Sequence, residues 1–312
     1  MLREFVADAL FVRGVGLLQA GQASRARWQL AFAARLASSN AVYFGAAALA
    51  AYKSGDIDAG VKNAERALEL DPGLDSARDL LAAMFVHGDD YLRVLERIHE
   101  HLRPRTYLEI GIALGWSLSL VSPQTKTLAI DPAPQLTFDL PGNVRLFKET
   151  SDDFFARHDV RAELGGLPVD LAFIDGMHHF DFALRDFMNV ERCCSPDSTI
   201  VLDDCFPRDR LTAQRERNSD FWSGDVWKLI VLLKKYRPDL SLHVVAAPPT
   251  GVCIVRQLDP GSRFLAENHE RLSTELMALD YSYLERDRAA KLSLFPNDWS
   301  KIQPLLGSAR QL

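Results

Sequence analysis

The sequence predicts an α/β protein in which a mostly parallel sheet, covered by helices on both faces, follows an all-α domain. Over residues 1 to about 86, alanine and leucine recur at three- and four-residue spacing without a β-branched run, which indicates helices. From about residue 89 onward, short apolar runs alternate with helical stretches, as is typical of a parallel sheet. We therefore predict a helical domain over 1–88, an α/β domain over 89–260 and a helical extension over 261–312 that docks on the body.

The composition indicates a globular chain of about two domains, because 312 residues with 47% hydrophobic side chains can bury sizeable cores. A net charge of −6 leaves no basic footprint for nucleic acid. The apolar runs fall short of the roughly 18 residues of a membrane helix, and charges from Arg3 onward argue against a signal peptide. Four cysteines without a CxxC pair suit reduced thiols. We expect a cytoplasmic protein that binds neither nucleic acid nor membranes.

The helical domain contains an internal repeat. Two segments align at an offset of 34 residues, so that Gly21 matches Gly55 and Leu36 matches Leu70. The glycine suits a turn between two helices, and the segment resembles tetratricopeptide repeats. About two repeats are visible, fewer than the three or so that usually stand alone. We expect the repeats to stack on the second domain or on another copy, and they serve either as a plain helical cap or for protein recognition or dimerisation.

The α/β domain is predicted to contain seven strands. They cover residues 106–111, 126–131, 143–147, 169–174, 199–203, 241–246 and 251–256. The last two are separated by "APPTG" and are predicted to form a hairpin that inserts an antiparallel strand. Ligands of an open parallel sheet bind beyond the carboxyl ends of the strands, so the residues that follow strands are the candidates for a site.

The first strand leads into a glycine-containing loop of the form Glu109-x-Gly111-x-x-x-Gly115-x-Ser117. Gly111 allows the backbone to approach a ligand closely, and Ser117 is suited to cap the next helix. Asp131 ends the second strand, where its carboxylate is suited to accept hydrogen bonds from the two hydroxyls of a ribose. The GxGxxG spacing of a dinucleotide site is absent, and an acid just before the first glycine favours a cationic amino acid instead.

This loop resembles that of the class I S-adenosylmethionine-dependent methyltransferases, whose Rossmann-like sheet has an antiparallel last strand. The resemblance implies that S-adenosylmethionine is held by Glu109, Gly111, Gly115, Ser117 and Asp131. It also makes Ser151, in "KETSDDFF" after the third strand, a candidate contact of adenine. The same Ser-Asp-Asp sequence is equally suited to begin a helix.

Acidic residues follow the next two strands. Asp175 closes "VDLAFID", and the pair Asp203 and Asp204 closes "TIVLDD". If these strands are neighbours, three carboxylates meet at one edge and repel each other unless a cation lies between them. Oxygen ligands favour magnesium, with manganese or calcium as alternatives. His178, in the pattern D-G-x-H, is close enough to remove a proton from a hydroxyl bound beside that ion.

A DxxH after one strand and an acidic pair after the next resemble metal-dependent O-methyltransferases, best the group of macrocin O-methyltransferase and related sugar-modifying enzymes. The resemblance covers residues 90 to 258 approximately. It implies that Asp175, Asp203 and Asp204 hold magnesium and that His178 is the base. The acidic pair of that group is often Glu-Asp rather than Asp-Asp, and His179 is a second candidate for the base.

The sequence therefore predicts an enzyme that transfers a methyl group from S-adenosylmethionine to a hydroxyl of a sugar, polyol or secondary metabolite. One alternative is a scaffold that binds partners through its repeats and carries a degenerate methyltransferase module. Another is a hydroxylase of antibiotic precursors, since relatives of this fold include such proteins. Residues 207–223 are either a lid or a solvated loop, and Trp222 and Trp227 either wall the substrate pocket or pack in the core.

Overall fold

The structure is a computed structural model that describes residues 2–218, 222–285 and 287–307. The chain divides into two units, Met1–His87 and Gly88–Leu312. The predicted boundary lies at 88/89, and the predicted extension over 261–312 is part of the second unit. Residues 286 and 308–312 of that extension lie outside the described residues.

The first unit consists of helices that recur at a fixed offset. They are α1 (Leu2–Gln19), α2 (Ala23–Leu36), α3 (Ala41–Lys53), α4 (Ile57–Leu70) and α5 (Asp75–Phe85). Helix α2 starts at residue 23 and α4 at residue 57, which is an offset of 34, and α3 and α5 start at 41 and 75 with the same offset. Gly21 and Gly55 precede α2 and α4 with φ of +72° and +84°, a conformation that glycine adopts without strain.

Small side chains let these helices pack closely. Ala33 and Ala67, which match across the repeat, are both fully buried. A Cβ atom on Gly14 of α1 would lie 2.5 Å from Cγ of Leu30, so glycine is required where α1 and α2 touch. The small residues that the sequence repeats are therefore those at which neighbouring helices meet.

The second unit is built on a single sheet. Its strands are β1 (Thr106–Ile110), β2 (Lys126–Ile130), β3 (Val144–Phe147), β4 (Val169–Ile174), β5 (Cys194–Leu202), β6 (Ser241–Val245), β7 (Val252–Arg256) and β8 (Leu294–Phe295). Within the described chain their order is β3-β2-β1-β4-β5-β7-β6-β8. Strands β1 to β5 pair in parallel, whereas β7 runs antiparallel to β5 and β6. The predicted Rossmann-like sheet with an antiparallel hairpin at its end is confirmed.

Helices and short turns surround this sheet. The helices are α6 (Tyr91–Leu102), α7 (Ser151–Arg157), α8 (Val160–Glu163), α9 (Phe180–Cys193), α10 (Trp227–Tyr236), α11 (Phe264–Glu267), α12 (His269–Met277), α13 (Ser282–Glu285), α14 (Arg288–Lys291) and α15 (Trp299–Ile302). Every residue of β1 and β4 is buried, because helices cover both faces of the central strands. None of the described helices is long and apolar enough to cross a membrane.

The strand order reverses at β1, which has β2 on one side and β4 on the other. Crossover connections leave β1 in one direction and enter β4 in the other, so a crevice opens beyond the carboxyl end of β1. The extension contributes the edge strand β8, which the sequence pattern did not predict, and Ile302 and Leu306 join the core beneath β1. The topology thus places the crevice next to the acidic residues that follow the central strands.

Candidate active site

Four parallel strands end in register at one edge of the sheet. The paired end residues are Ile110 with Ile130, Ile110 with Ile174, and Ile174 with Leu202. The residues that follow these strands are Gly111, Asp131, Asp175 and Asp203. The carboxyl groups predicted from separate motifs therefore lie along one row.

Gly111 has a φ of +85°, and its backbone lies directly against the loop that follows β4. A Cβ atom at this position would lie 1.8 Å from the carbonyl oxygen of Asp175. The sequence pattern attributed this glycine to the approach of a ligand, but the structure shows that the neighbouring backbone alone requires it. Gly115, with a φ of +83°, faces Leu136 and Phe138 instead, where a Cβ atom would lie 2.6 Å from Leu136 Cδ2.

Glu109 is fully buried beneath this loop. Its Oε1 accepts a hydrogen bond from the hydroxyl of Ser117, whereas its Oε2 has no partner among the residues that the structure describes. Burial raises the pKa of Glu109 to about 8. The prediction that Ser117 caps a helix is wrong, because its side chain makes no capping hydrogen bond in the described chain and binds the acid instead.

Asp131 holds the glycine loop in place. Its Oδ2 accepts hydrogen bonds from the backbone N–H groups of Ile112 and Ala113 at 2.7 and 3.0 Å, and its Oδ1 accepts one from Ala133 at 2.7 Å. Each carboxylate oxygen has two lone pairs, so both of those on Oδ2 are used and Oδ1 keeps one for a ribose hydroxyl. Asp131 is partly exposed at the crevice, as that role requires.

Ser151 is the first residue of α7, at the end of β3. The cap of this helix is Thr150, whose hydroxyl accepts a hydrogen bond from the backbone of Asp153 at 3.1 Å. Ser151 therefore keeps its own hydroxyl for another partner, and it interacts with Asp186 of α9. Burial raises the pKa of Asp186 to about 7, and the hydrogen bond from Ser151 opposes that shift.

The predicted acids and histidine line one pocket. Its walls include Asp175, His178, Asp203 and Asp204, together with Asp186. One donor atom each from Asp175, His178 and Asp204 lies within 4.8 Å of the others, close enough to surround one metal ion. Asp203 lies beside this group, and its Oδ1 accepts a hydrogen bond from the backbone N–H of Asp204 at 2.9 Å.

The carboxylates of this pocket repel each other electrostatically. Burial raises the pKa of Asp175, although its hydrogen bond with His178 opposes the shift. Burial and the charges of Asp175 and Asp204 raise the pKa of Asp203 well above its ordinary value. The raised pKa values show that these acids resist ionisation, and a divalent cation would reduce the repulsion between their ionised forms. Carboxylate oxygens are also the ligands that magnesium prefers. The donor set therefore fits the predicted metal.

His178 lies between two carboxylates. Its Nδ1 is 2.9 Å from Oδ2 of Asp204 and 2.9 Å from the carbonyl oxygen of Trp222, and its Nε2 is 3.3 Å from Oδ1 of Asp175. Burial acts to lower the pKa of His178, but the charge of Asp204 and the hydrogen bonds to both acids outweigh it and raise the pKa to about 12. When these acids are ionised and no cation balances their charge, the imidazole of His178 is therefore protonated and positively charged.

Residues 207–223 contact this pocket, although 219–221 lie outside the described residues. The Trp222 ring stacks on the His178 ring, with centroids 5.0 Å apart and an interplanar angle of 18°. Arg215 ties the segment to the body through Asp181 at 2.6 Å and Asp225 at 3.3 Å. Of the two tryptophans proposed as pocket walls, Trp222 thus lies at the site, whereas Trp227 is buried in the core.

The chain after this segment encloses the D-G-x-H loop from the other side. Gly224 has a φ of +59°, and a Cβ atom there would lie 1.7 Å from the carbonyl oxygen of His178. The same carbonyl accepts a hydrogen bond from the backbone of Asp225 at 3.2 Å. His179, the second candidate for the base, points away from the acids, because its Nε2 lies 2.9 Å from the carbonyl oxygen of Arg215.

Two residues of this region were not predicted from the sequence. Tyr91, at the start of α6, stacks on Phe173 with ring centroids 6.4 Å apart. Burial raises the pKa of its hydroxyl, and the charges of Asp203 and Asp175 raise it further. The second residue that was not predicted is Asp186. The sequence did contain a signal for it, because this acid lies among the buried residues of the amphipathic helix α9.

Several solved structures resemble this chain over part of its length. The O-methyltransferase from Bacillus cereus in complex with SAH has 16% identity and a TM-score of 0.39, over 59% of this chain and 90% of that one. The SAH-bound methyltransferase PaMTH1 from Podospora anserina has 15% identity and a TM-score of 0.39, over 64% and 88%. Cofactor-bound Rv0187 from MTB has 16% identity and a TM-score of 0.40, over 65% and 96%.

Residues 108–205 match the family model described as a methyltransferase domain. The match begins in β1, just before Glu109, and ends just after Asp204, so it spans the glycine loop and the acidic pocket. No curated protein matches the sequence. The prediction of a methyltransferase domain is therefore confirmed for residues 108–205.

Proposed function

We propose that the second unit transfers a methyl group from S-adenosylmethionine to a hydroxyl of a sugar, polyol or secondary metabolite, with a divalent metal at the acidic pocket. The observation that carries the proposal is the contact of Gly111 with the carbonyl of Asp175. This contact joins the loop after β1, which is the proposed donor loop, directly to the acidic pocket. A methyl donor held at that loop and a hydroxyl acceptor held at the pocket would therefore be neighbours. In-line displacement depends on that proximity.

On the donor side, the buried carboxylate of Glu109 is suited to the ammonium of the amino acid portion. Its Oε2 is a buried acceptor without a partner in the described chain, and an ammonium would satisfy it. Asp131 is suited to the ribose hydroxyls, and Ser151 to the adenine. The sulfonium already activates the methyl group, so these residues have only to hold and align it.

On the acceptor side, Asp175, Asp203 and Asp204 would hold magnesium. When bound, the ion would balance their charge and supply Lewis-acid stabilisation of negative charge that develops on an oxygen. His178 would accept the proton of the acceptor hydroxyl. Its Nδ1 lies 2.9 Å from two oxygen acceptors, whereas Nε2 has the longer contact of 3.3 Å with Oδ1 of Asp175. The neutral ring would therefore carry hydrogen on Nδ1 and its lone pair on Nε2, provided that the Asp175 carboxylate turns from Nε2 towards the metal.

The proposed acceptor class follows from the resemblance of the D-G-M-H and Asp-Asp motifs to sugar-modifying O-methyltransferases. Trp222 adds an aromatic surface beside His178, against which a ring-shaped acceptor can pack. The described part of residues 207–223 is not a freely solvated loop, because Trp222 and Arg215 hold it against the body.

The test is turnover by the full chain with S-adenosylmethionine, magnesium and a panel of sugars, polyols and phenols. We expect formation of S-adenosylhomocysteine and a product heavier by one methylene, and we expect a chelator to stop the reaction. A product heavier by one oxygen would instead identify a hydroxylase.

One observation favours the scaffold alternative. Helices α1 and α2 expose large apolar side chains, among them Phe5, Val12 and Trp28, and such surfaces often bind other proteins. Calorimetry with S-adenosylhomocysteine separates the two functions. A chain that does not bind this product is not the proposed enzyme, and its repeats would then carry the function.

A further inference from the structure

A second polar side chain shares the face of β1 from which Glu109 projects. Tyr107 precedes Glu109 by two residues, and side chains two apart on a strand point to the same side. Both residues are fully buried, and Tyr107 belongs to the hydrophobic core that also includes residues of α6. The phenol therefore lies beside the carboxylate in a region without solvent.

The polar atoms of these two side chains are incompletely satisfied. Oη of Tyr107 and Oε2 of Glu109 are both buried without a hydrogen-bond partner in the part of the chain that is described. The other carboxylate oxygen already accepts a hydrogen bond from Ser117. A buried hydroxyl and a buried carboxylate without partners are each unfavourable, and a hydrogen bond between them would remove both costs at once.

His99 of α6 closes the far side of the phenol. Its ring meets the ring of Tyr107 edge to face, with centroids 4.7 Å apart. Burial lowers the pKa of His99 to about 4, so it is neutral at pH 7 and brings no positive charge to the group. On the side of Tyr107, Glu109 is therefore surrounded by the Tyr107 hydroxyl and the neutral His99 ring.

We propose that Tyr107 is a positioning residue of the donor site, whose hydroxyl donates a hydrogen bond to Glu109 and, with Ser117, aims that carboxylate at the ammonium of the donor. The inference rests on the proposed function, since it assumes that Glu109 binds this ammonium. Two hydroxyl donors stabilise a buried carboxylate without neutralising it, whereas a lysine or arginine partner would compete with the ligand's own cation. The negative charge of the ionised form is thus kept for the donor.

The proposal has a consequence for pH. The interaction with Tyr107 lowers the pKa of Glu109, although burial dominates and raises it to about 8. The other groups that face Glu109 are Ser117, Asp131 and Asp175, together with Tyr91 of α6. Removal of the Tyr107 hydroxyl should raise the pKa of Glu109 further, so that less of it is ionised near neutral pH.

The test compares Tyr107→Phe with the wild type, as full chains, by calorimetric titration with S-adenosylhomocysteine between pH 6.5 and pH 9. We expect about tenfold weaker binding at pH 7 and a shift of the affinity profile to higher pH by about one unit. Tyr283→Phe is the matched control, because it removes a phenol hydroxyl from a partly exposed residue in α13. That control should bind like the wild type at every pH.

Wild-type affinity and an unshifted profile in a folded Tyr107→Phe variant would overturn the inference and leave the proposed function intact. Uniform weakening at every pH would also overturn it, because loss of packing alone has that effect. If the wild type itself does not bind S-adenosylhomocysteine, the proposed function fails, and this inference fails with it. Should Tyr107→Phe not fold, Ser117→Ala serves instead: it leaves Tyr107 as the remaining hydroxyl donor, and complete loss of binding in that folded variant contradicts the proposal.

Discussion

The carbonyl oxygen of Asp175 lies 1.8 Å from the position that a Cβ atom on Gly111 would take. The loop after β1 and the loop after β4 therefore touch through their backbones, with no side chain between them. This contact determines how far the loop after β1 lies from the acidic pocket. Any residue other than glycine at 111 must move one loop away from the other.

Gly111→Ala should therefore lower both stability and activity. The substitution combines a φ of +85° with a clash against backbone, so we expect a loss of roughly 2–4 kcal/mol in the free energy of unfolding. Gly142→Ala is the control, because no described atom lies within 4 Å of a Cβ atom built there. Urea denaturation measures both, and equal stability of the two variants would contradict the observed contact.

Asp175→Asn should separate metal binding from donor binding. The amide removes one negative oxygen from the acidic pocket, so we expect at least about tenfold weaker binding of Mn²⁺ as well as loss of turnover. Affinity for S-adenosylhomocysteine should remain, because Glu109 and Asp131 are unchanged. Manganese binding followed by electron paramagnetic resonance tests the first outcome, and calorimetry tests the second.

The matched control is Asp197→Asn, an exposed acid near the start of β5 and therefore at the opposite edge of the sheet. It should bind the metal and the product as the wild type does. Unchanged manganese binding and activity in Asp175→Asn would remove the metal from the proposed mechanism.

Glu109→Gln should change how stability depends on pH. The pKa of Glu109 rises from its ordinary value of 4.5 to about 8 in the folded chain, so the native state binds more protons than the unfolded state between these values. The contribution of Glu109 to the free energy of unfolding therefore falls as pH rises from about 4.5 to about 8. The side chain of glutamine does not ionise, so the Gln variant should be more stable than the wild type by on the order of 4 kcal/mol at pH 8 and close to it at pH 4.

Urea denaturation across this pH range gives the comparison. Exposed Glu270→Gln should follow the wild-type curve throughout. Curves that stay parallel for Glu109→Gln and the wild type would show that folding does not change the pKa of Glu109, and would contradict the raised pKa.

Trp222→Ala should impair catalysis more than donor binding. The ring stacks on His178, and the backbone carbonyl of the same residue lies 2.9 Å from Nδ1 of that histidine. Loss of the ring frees this segment, so we expect kcat to fall by about tenfold or more through misplacement of His178. The Kd of S-adenosylhomocysteine should stay within about twofold.

Trp222→Phe retains an aromatic face and should recover most of the activity. Trp28→Ala, at an exposed position of α2, is the control for removal of a tryptophan elsewhere. If Trp222→Ala weakens product binding and leaves kcat unchanged, the residue belongs to the donor site instead.

Much of the second unit was predictable because its strands are continuous apolar runs with an acid or glycine after each. Strand β4 covers the predicted residues 169–174, and β1 and β2 each end one residue before the prediction. Strand β5 was predicted from 199 but begins at Cys194, since the polar segment "SPDS" pairs with β4 only through an irregular register. Two-residue β8 lacks the length for any periodic pattern.

The site was predictable where it depends on strand order and not where it depends on packing between distant segments. Acids that follow neighbouring parallel strands must share an edge, which is why Asp175, Asp203 and Asp204 could be grouped in advance. Tyr91 comes from a helix before the first strand, and the Trp222 contact comes from a segment without apolar periodicity. Trp222 was a candidate pocket wall, but the sequence did not indicate its contact with His178, and nothing in the local pattern pointed to Tyr91.

Glycines fix the short loop over residues 175–178 at both ends, one through the carbonyl of Asp175 and one through the carbonyl of His178. Main-chain contacts of this kind do not depend on which side chains project from the loop. Exposed Met177, for example, can be exchanged without disturbing them. New acceptor preferences could therefore arise, in nature or by engineering, through substitution at such outward positions while the chemistry of transfer is inherited unchanged.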